Sequence, residues 1–451
     1  MKNGYISLLI ILASFFLVGC ETPSLYSNTP DEDSTMLWPA CDSTGFWGFI
    51  NEKGEMVIPA KFERTYGFSG GMAKVVIDED GIPMPPKTYQ EYYEGHQQAF
   101  VDIHGNVLYA LPNDKAFTDN YCYYGCCRYE GMGFQGMMDH NFNAFIPVEQ
   151  YDRGLNLGVM TKDGLASSSL GYFNRSGKLA ISAYINGKDG KAYEYLGDFC
   201  DGIAVVGTYT HTHGIYGTIY KKYGAINTRG KIVIDTIYRY LRSVGNDRLV
   251  YKLNDSVGSY VGLMDTQGNI ITEESILDDS YVSFFGDGGL MPVRERDDDY
   301  PGCNYYKYGY VDINGTLQIP YQYSRAEPFC NGYAWVKAPN DKNEHVSKLI
   351  NLQGQVVLEL ELFQEPASFI SGNYHNGLCL IFDTRQYPSR YHYMNLKGEI
   401  ICSWQQEPID QQNSAPGVPE HMQPDSKELM LQHFEGTPYY PLALQCAQTK
   451  D

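Results

Sequence analysis

Several short stretches of this chain carry residue types that can do chemistry. "GFSGG", Gly67 to Gly71, matches the G-x-S-x-G turn that presents a nucleophilic serine in hydrolases. That turn needs a strand before it, a helix after it, and a histidine and an acid to complete the relay. "CYYGCC" gathers Cys122, Cys126 and Cys127, thiols of the kind that bind zinc, but no Cys or His pair at ligand spacing lies nearby. "HTH" sets His211 and His213 two residues apart, as a metal held from one strand face requires, and offers no third ligand. "DEDG" (Asp78 to Gly81) and "RERDDDY" (Arg294 to Tyr300) supply carboxylates for a hard cation without the ligand spacing of a calcium loop. These stretches therefore predict no catalytic residue, no metal and no cofactor.

The elements that would position such residues repeat. "WGFINEKGEMVIPAKF", Trp47 to Phe62, reads as a hairpin turning at Asn51 and closing at Gly54. The same pattern returns around Gly105, Gly177, Gly230, Gly268, Gly315, Gly354 and Gly398. A ninth copy, "MMDHNFNAFIP", has Phe142 at the glycine position. Three residues before the anchor every copy has Asn or Asp, from Asn51 to Asn395, and an apolar residue precedes that. Asn or Asp opens a type I turn by bonding the backbone two residues on. Glycine then takes the left-handed conformation that closes it with a bulge. In the ninth copy Asn141 or Asn143 is expected to take the left-handed position, because Asn tolerates it best after glycine.

A second signature follows each hairpin: an aromatic, two residues, Gly, one residue, Ala, one residue, Val. It is clear in "FSGGMAKV", "FCDGIAVV" and "FCNGYAWV", and looser in "FGDGGLMPV" and "YHNGLCLI". Its alternation predicts a half-buried strand, so a unit reads as about three antiparallel strands. The register absorbs the chemical motifs. Ser69 falls in a variable slot, Cys122 at the aromatic, Cys127 and Cys379 at the alanine, and Cys200 and Cys330 just after the aromatic. Disulfides are open to an exported chain, with a connectivity that the spacing does not give.

"WGFINEKGEMVIPAKF" with "FSGGMAKV" resembles the WG-repeat (KWG-repeat) family of bacteria, over about Phe46 to Trp404. Only the first copy keeps Trp-Gly itself; others have Tyr-Gly, or carry Ala99, Lys348 or His392 where the glycine belongs. The resemblance implies a β-rich tandem-repeat scaffold and brings no catalytic residue. The fold class expected is all-β, tandem three-stranded antiparallel units, propeller-like or stacked as an open superhelix.

Unit lengths differ, and the extra residues fall in one place, after the Ala-x-Val strand and before the next hairpin. Equivalent connections of a regular array emerge on one edge, where insertions often form the binding face. The candidate binding residues there are Tyr89, Tyr92, Tyr93, His211, His213, Tyr216, Tyr220, Arg294, Arg296, Tyr300, Arg385 and Tyr387. Tyr, Arg and His make adaptable contact surfaces. The expected partner is an envelope protein or peptide. Glycan bound through exposed tyrosines is the alternative, and a propeller-type hydrolase a third reading.

The chain opens with Lys2 and the apolar run "ISLLIILASFFLV", followed by Gly19-Cys20. "LVGC" resembles a bacterial lipobox, which implies export, cleavage before Cys20 and acylation of Cys20. Each buried methylene of an acyl chain contributes about 0.8 kcal/mol, so several chains hold stably in a bilayer. The expected organisation is a signal at 1–19, a lipidated tether at 20–41, repeats at 42–404 and a Pro/Gln-rich tail at 405–451. The formal net charge of -20 argues against nucleic acid, whose phosphates require a basic face.

Overall fold

A computed structural model describes residues 35–78, 96–131, 134–147, 155–184, 192–211, 219–253, 260–278, 282–296, 306–366, 374–375, 377–385 and 390–405. Contacts separate Met1–Gln406 from Glu407–Asp451, and everything described belongs to the first unit. Cys20 and the 405–451 tail beyond Gln405 lie outside the described residues.

The turn chemistry is local and complete. In the copy around Gly230, Asn227 Oδ1 accepts the N–H groups of Arg229 and Lys231, both at 3.0 Å. Gly230 N donates to Asn227 O at 2.8 Å, and Asn227 N to Lys231 O at 2.9 Å. One side chain thus fixes the turn, and Gly230 stands at φ +75° as the pattern requires. The ninth copy departs from expectation: Phe142 itself takes the left-handed conformation, at φ 61°, and neither Asn141 nor Asn143 does. The compensation is a neighbour, because its ring stacks on Tyr109 at 4.8 Å and 7°.

The strands form nine antiparallel sheets, here called blades 1 to 9. Blade 2 shows the plan: Arg64–Ser69, Met72–Asp78, His96–Val101 and Val107–Ala110, paired in chain order. The register corrects the grouping of strands read from the sequence. The Ala-x-Val strand Met72–Asp78 pairs with the hairpin after it, from Ala73↔Val101 to Asp78↔His96, and not with the hairpin before it. Most blades also gain a first strand, the residues leading into the aromatic-Gly signature, so the unit is commonly four-stranded. Blade 1 starts at Trp38–Cys41, inside the stretch expected as tether.

The Trp-Gly glycine has its own reason. A Cβ on Gly48 would lie 2.4 Å from Ile58 O, where the last strand of blade 1 bulges toward it. Blade 9 carries His392 at this position and pairs regularly there, His392↔Ser403, without a bulge.

The core is a cycle of interfaces. One cluster joins blades 1 and 2 through Phe49, Ile58, Phe68, Ala73 and Val75. Equivalent clusters follow at each junction through blades 8 and 9, where Trp335 and Leu349 meet Cys379 and Ile381. The last joins blade 9 back to blade 1, with Trp38, Ala40 and Ile50 against Leu378, Tyr391, Tyr393 and Trp404. Tyr393 Oη donates across this seam to Pro39 O at 3.0 Å. The array is a closed nine-bladed propeller rather than an open superhelix. The small residue of the Ala-x-Val signature follows from close approach: Ala73, Ala204 and Cys379 are each 0 % exposed.

Candidate functional site: the insertion edge of the propeller

Because each blade is a meander, its two edges differ in kind. The turns joining first to second and third to fourth strands leave from one edge. The loops joining second to third strands, and the passages to the next blade, leave from the other.

The turn edge is spent on holding blades together. Each anchor glycine sits on the last strand of the preceding blade: a Cβ on Gly105 would meet Ile58 Cγ2 at 2.6 Å, and one on Gly54 would meet Ile401 O at 2.7 Å. Carboxylates link successive turns. Asp163 Oδ2 accepts Gly202 N at 3.2 Å, Asp201 Oδ2 accepts Asp247 N at 2.9 Å, and Asp287 Oδ2 accepts Gly332 N at 2.8 Å. Arg248 Nε donates to Ile313 O of the next blade at 2.8 Å.

The insertions occupy the opposite edge and lie within blades, between second and third strands. In blade 5, strands Ile203–His211 and Ile219–Asn227 pair from Ile203↔Asn227 out to His211↔Ile219, so only 212–218 form the tip. Tyr89, Tyr92, Tyr93, His213, Tyr216, Tyr300 and Tyr387 lie outside the described residues. His211 and Tyr220 stand at the ends of the two blade 5 strands, with Thr210 opposite Tyr220.

Three candidates are described with their side chains. The Arg294 guanidinium lies 3.8 Å from the centroid of the Tyr306 ring, a cation–π contact at the end of the first strand of three-stranded blade 7. Arg296, exposed, pairs in register with the same Tyr306. Arg385 is held by Asp383, its Nε at 3.0 Å from Oδ1 and 2.9 Å from Oδ2, and bonds Glu361 as well. It anchors the start of the blade 9 insertion between two carboxylates.

Two arrangements here were not singled out in the sequence. His392 Nδ1 lies 2.7 Å from Ser403 Oγ, and its Nε2 lies 3.6 Å from Asp383 Oδ2. Ser, His and Asp thus follow one another across three strands. Asp383 Oδ2 already accepts from Gln364 Nε2 at 3.1 Å and from Arg385, and 3.6 Å is an ion-pair separation rather than a hydrogen bond. Burial holds the imidazole below the ordinary histidine range, against the attraction of Asp383. The signal was His392 in a glycine slot.

The second is a shallow surface depression bordered by Arg325, Glu327, Trp335, Lys337 and Ser347 of blade 8. The Trp335 Nε1–H is buried and has no hydrogen-bond partner among the described residues. Leaving such a donor unpaired costs about 1–3 kcal/mol. Its signal was a tryptophan in the middle slot of the Ala-x-Val signature, where other copies carry Lys74 or Val205.

The cysteine cluster resolves locally. Cys122 and Cys127 form a disulfide across the first turn of blade 3, while Cys126, Cys200, Cys330 and Cys379 are not disulfide-bonded. Among the described residues no group of three or more His, Cys, Asp or Glu is placed to hold a metal ion.

Solved structures similar to this chain include apo AztD from Citrobacter koseri, at 12% identity and TM-score 0.35, covering 69% of this chain and 92% of that one. The uncharacterized protein lmo1340 from Listeria monocytogenes EGD-e is similar at 9% identity and TM-score 0.32, covering 76% and 94%. A puromycin-hydrolyzing peptidase of Mycobacterium tuberculosis is similar at 10% identity and TM-score 0.31, covering 74% and 58%. At these scores none of them bears on activity. No curated protein matches the chain. The family model of the WG containing repeat matches residues 47–79, 223–255 and 308–342. Each matched segment runs from the last two strands of one blade to the first two of the next, so the repeat in sequence spans a junction between blades. The chain thus carries the WG containing repeat, matched by the family model at three of its blade junctions.

Proposed function

We propose that this propeller is a non-catalytic binding scaffold of the bacterial cell envelope, engaging a protein or peptide through its insertion edge. One observation carries the reading. The turn edge is committed to blade-to-blade contacts through Gly54, Gly105, Asp163, Asp201 and Asp287, whereas chain-length variation is confined to the other edge. Loops at that edge can vary in length with little cost, since loop-closure entropy changes slowly with length. The cations and rings at that edge, Arg294, Arg296 and Tyr306, are of the kind enriched at interfaces.

Replacing 212–218 by Asn-Gly closes the His211↔Ile219 pair with a two-residue turn. The melting temperature should stay within about 2 °C, since a surface change of this kind moves stability by less than about 0.5 kcal/mol. Capture of cross-linked partner from envelope extract should fall severalfold, and Tyr216→Ser should reproduce part of the loss. Thr228→Ala with Arg229→Ala, on the turn edge of the same blade, should leave capture unchanged. Equal losses from the two edges would remove the one-face reading.

Anchoring is proposed through acylation of Cys20. Cys20→Ser should release the protein from the membrane fraction, or leave it unprocessed, and abolish labelling by a clickable fatty acid. Full membrane retention without label in the wild-type chain would exclude the lipoprotein.

A further inference from the structure

Blade 3 breaks the repeat at its most regular core contact. Where the second signature is clear, its aromatic and its alanine face each other across the first turn, as the register partners Phe68↔Ala73 and Phe199↔Ala204 do. The ring then packs on the aromatic two residues before the hairpin Asn or Asp of the preceding blade. Centroids lie 4.7 Å apart for Phe68 and Phe49, 4.8 Å for Phe199 and Tyr172, and 4.8 Å for Phe329 and Tyr310. In blade 3 the two slots hold Cys122 and Cys127, 0% and 1% exposed and joined by a disulfide. The Tyr123↔Cys126 bridge inside them matches Cys330↔Tyr333 of blade 8, so the register is the same. A pair just outside a hydrogen-bonded bridge is of the closer-spaced kind, and its Cα atoms stand 4.6 Å apart, within reach of a disulfide. Phe100, the ring that awaits a signature aromatic here, packs on Phe117 instead, with centroids 4.7 Å apart. Phe117 pairs with Tyr129 at the place where Thr65 pairs with Val75 in blade 2. Cys126 takes no part in this. It buries in the cluster facing blade 4, with Arg175 Nη1 3.8 Å from its sulfur, whereas Cys122 and Cys127 bury toward blade 2.

We infer that the Cys122–Cys127 bridge is a covalent substitute for the ring–alanine pair of the repeat, and that it makes the junction of blades 2 and 3 conditional on oxidation where the Phe–Ala junctions are not. A phenylalanine in the aromatic slot holds the turn by the surface its ring buries. Two thiols bury less and leave the turn to its backbone bonds, so the hold must come from the bond between them. Cleaving that bond takes two electrons and two protons from an external reductant, a dithiol that leaves as its own disulfide, and yields two thiols with no new contact. Because neither sulfur is accessible, the reductant reaches them only when the turn opens. The inference is independent of the partner and anchor readings above.

The test uses the full chain, isolated without reductant. Alkylation before and after reduction should find Cys122 and Cys127 blocked until the reductant is added. Amide hydrogen exchange then compares the chain refolded with and without a phosphine reductant. Reduction should speed exchange about tenfold or more in 117–131 and leave 196–206 of blade 5, with its Phe199–Ala204 pair, unchanged. Restoring the repeat by Cys122→Phe, Cys127→Ala and Phe117→Thr should make exchange in 117–131 insensitive to the reductant, with the remaining cysteines as the internal control. Cys122→Phe with Cys127→Ala alone should melt lower than the restored chain, because the new ring and Phe117 then compete for Phe100. A reduced wild-type chain that fails to refold, where the restored chain folds in the same reductant, also supports the inference. Unblocked thiols at both positions in the isolated protein overturn it. So do equal exchange in 117–131 with and without the bridge, an equal gain in 196–206, and a restored chain that does not fold or still responds to the reductant.

Discussion

Gly177→Ala is expected to destabilise the propeller far more than Gly202→Ala, although both glycines have positive φ, +71° and +82°. Alanine in the left-handed region costs about 1 kcal/mol at either site. The sites differ in what a Cβ would meet. At Gly202 nothing lies within 4 Å, whereas at Gly177 the new atom would stand 2.0 Å from Phe145 O of the preceding blade. A backbone oxygen cannot step aside without moving its strand, so the junction between blades 3 and 4 must open. Gly177→Ala should therefore cost about 3 kcal/mol or more, in the range of overpacked cores. Urea midpoints at equal m-values measure the difference. Equal midpoints would mean that the anchor glycine answers only to its own turn and that the blades do not meet there.

The second large effect is expected at the seam. Eight of the nine junctions are spanned by the chain itself, and the ninth, between blades 9 and 1, is held by side chains. Trp404 is its centre, with ring centroids 5.9 Å from Trp47, 5.7 Å from Tyr391 and 5.4 Å from Tyr393. Trp404→Ala should cost about 3–5 kcal/mol, as large-to-small core changes do. It should also change the form of unfolding. An open repeat array is stabilised only by nearest neighbours and loses cooperativity from its ends. A single transition is thus expected to broaden or split, and the radius of gyration in native buffer to rise. Phe199→Ala, at the chain-connected junction of blades 4 and 5, should lose comparable stability with the native radius unchanged. If both variants keep the wild-type radius and one sharp transition, closure does not depend on the aromatic seam.

Much of this was legible in the residues because it is short-ranged. Asn227 and Gly230 fix a turn through bonds spanning no more than four residues, so the nine hairpins and their glycines could be read directly. The placing of insertions before the hairpin was equally readable. Even so, the sequence pointed to Asn141 or Asn143 where Phe142 takes the turn, because what permits Phe142 is the Tyr109 ring on another blade. The candidate site was legible only as a region. Arg294 and Arg385 were visible as cations near insertions, but the Tyr306 ring under one and the two carboxylates around the other arise from strand pairing.

The sequence by itself determined the turns, the all-β composition of the units, their number and the slot in which length varies, since local hydrogen bonding and backbone sterics decide these. Only the tertiary structure decided that Met72–Asp78 pairs forward with His96–Val101, and hence that insertions lie inside blades. It alone decided that Trp38 and Ile50 meet Tyr391 and Trp404 to close nine blades into a ring. It also buried the Trp335 indole N–H without a hydrogen-bond partner among the described residues. Each of these depends on which apolar faces bury one another across large separations in the chain, and hydrophobic burial is non-directional, so the pattern of one strand does not name its partner.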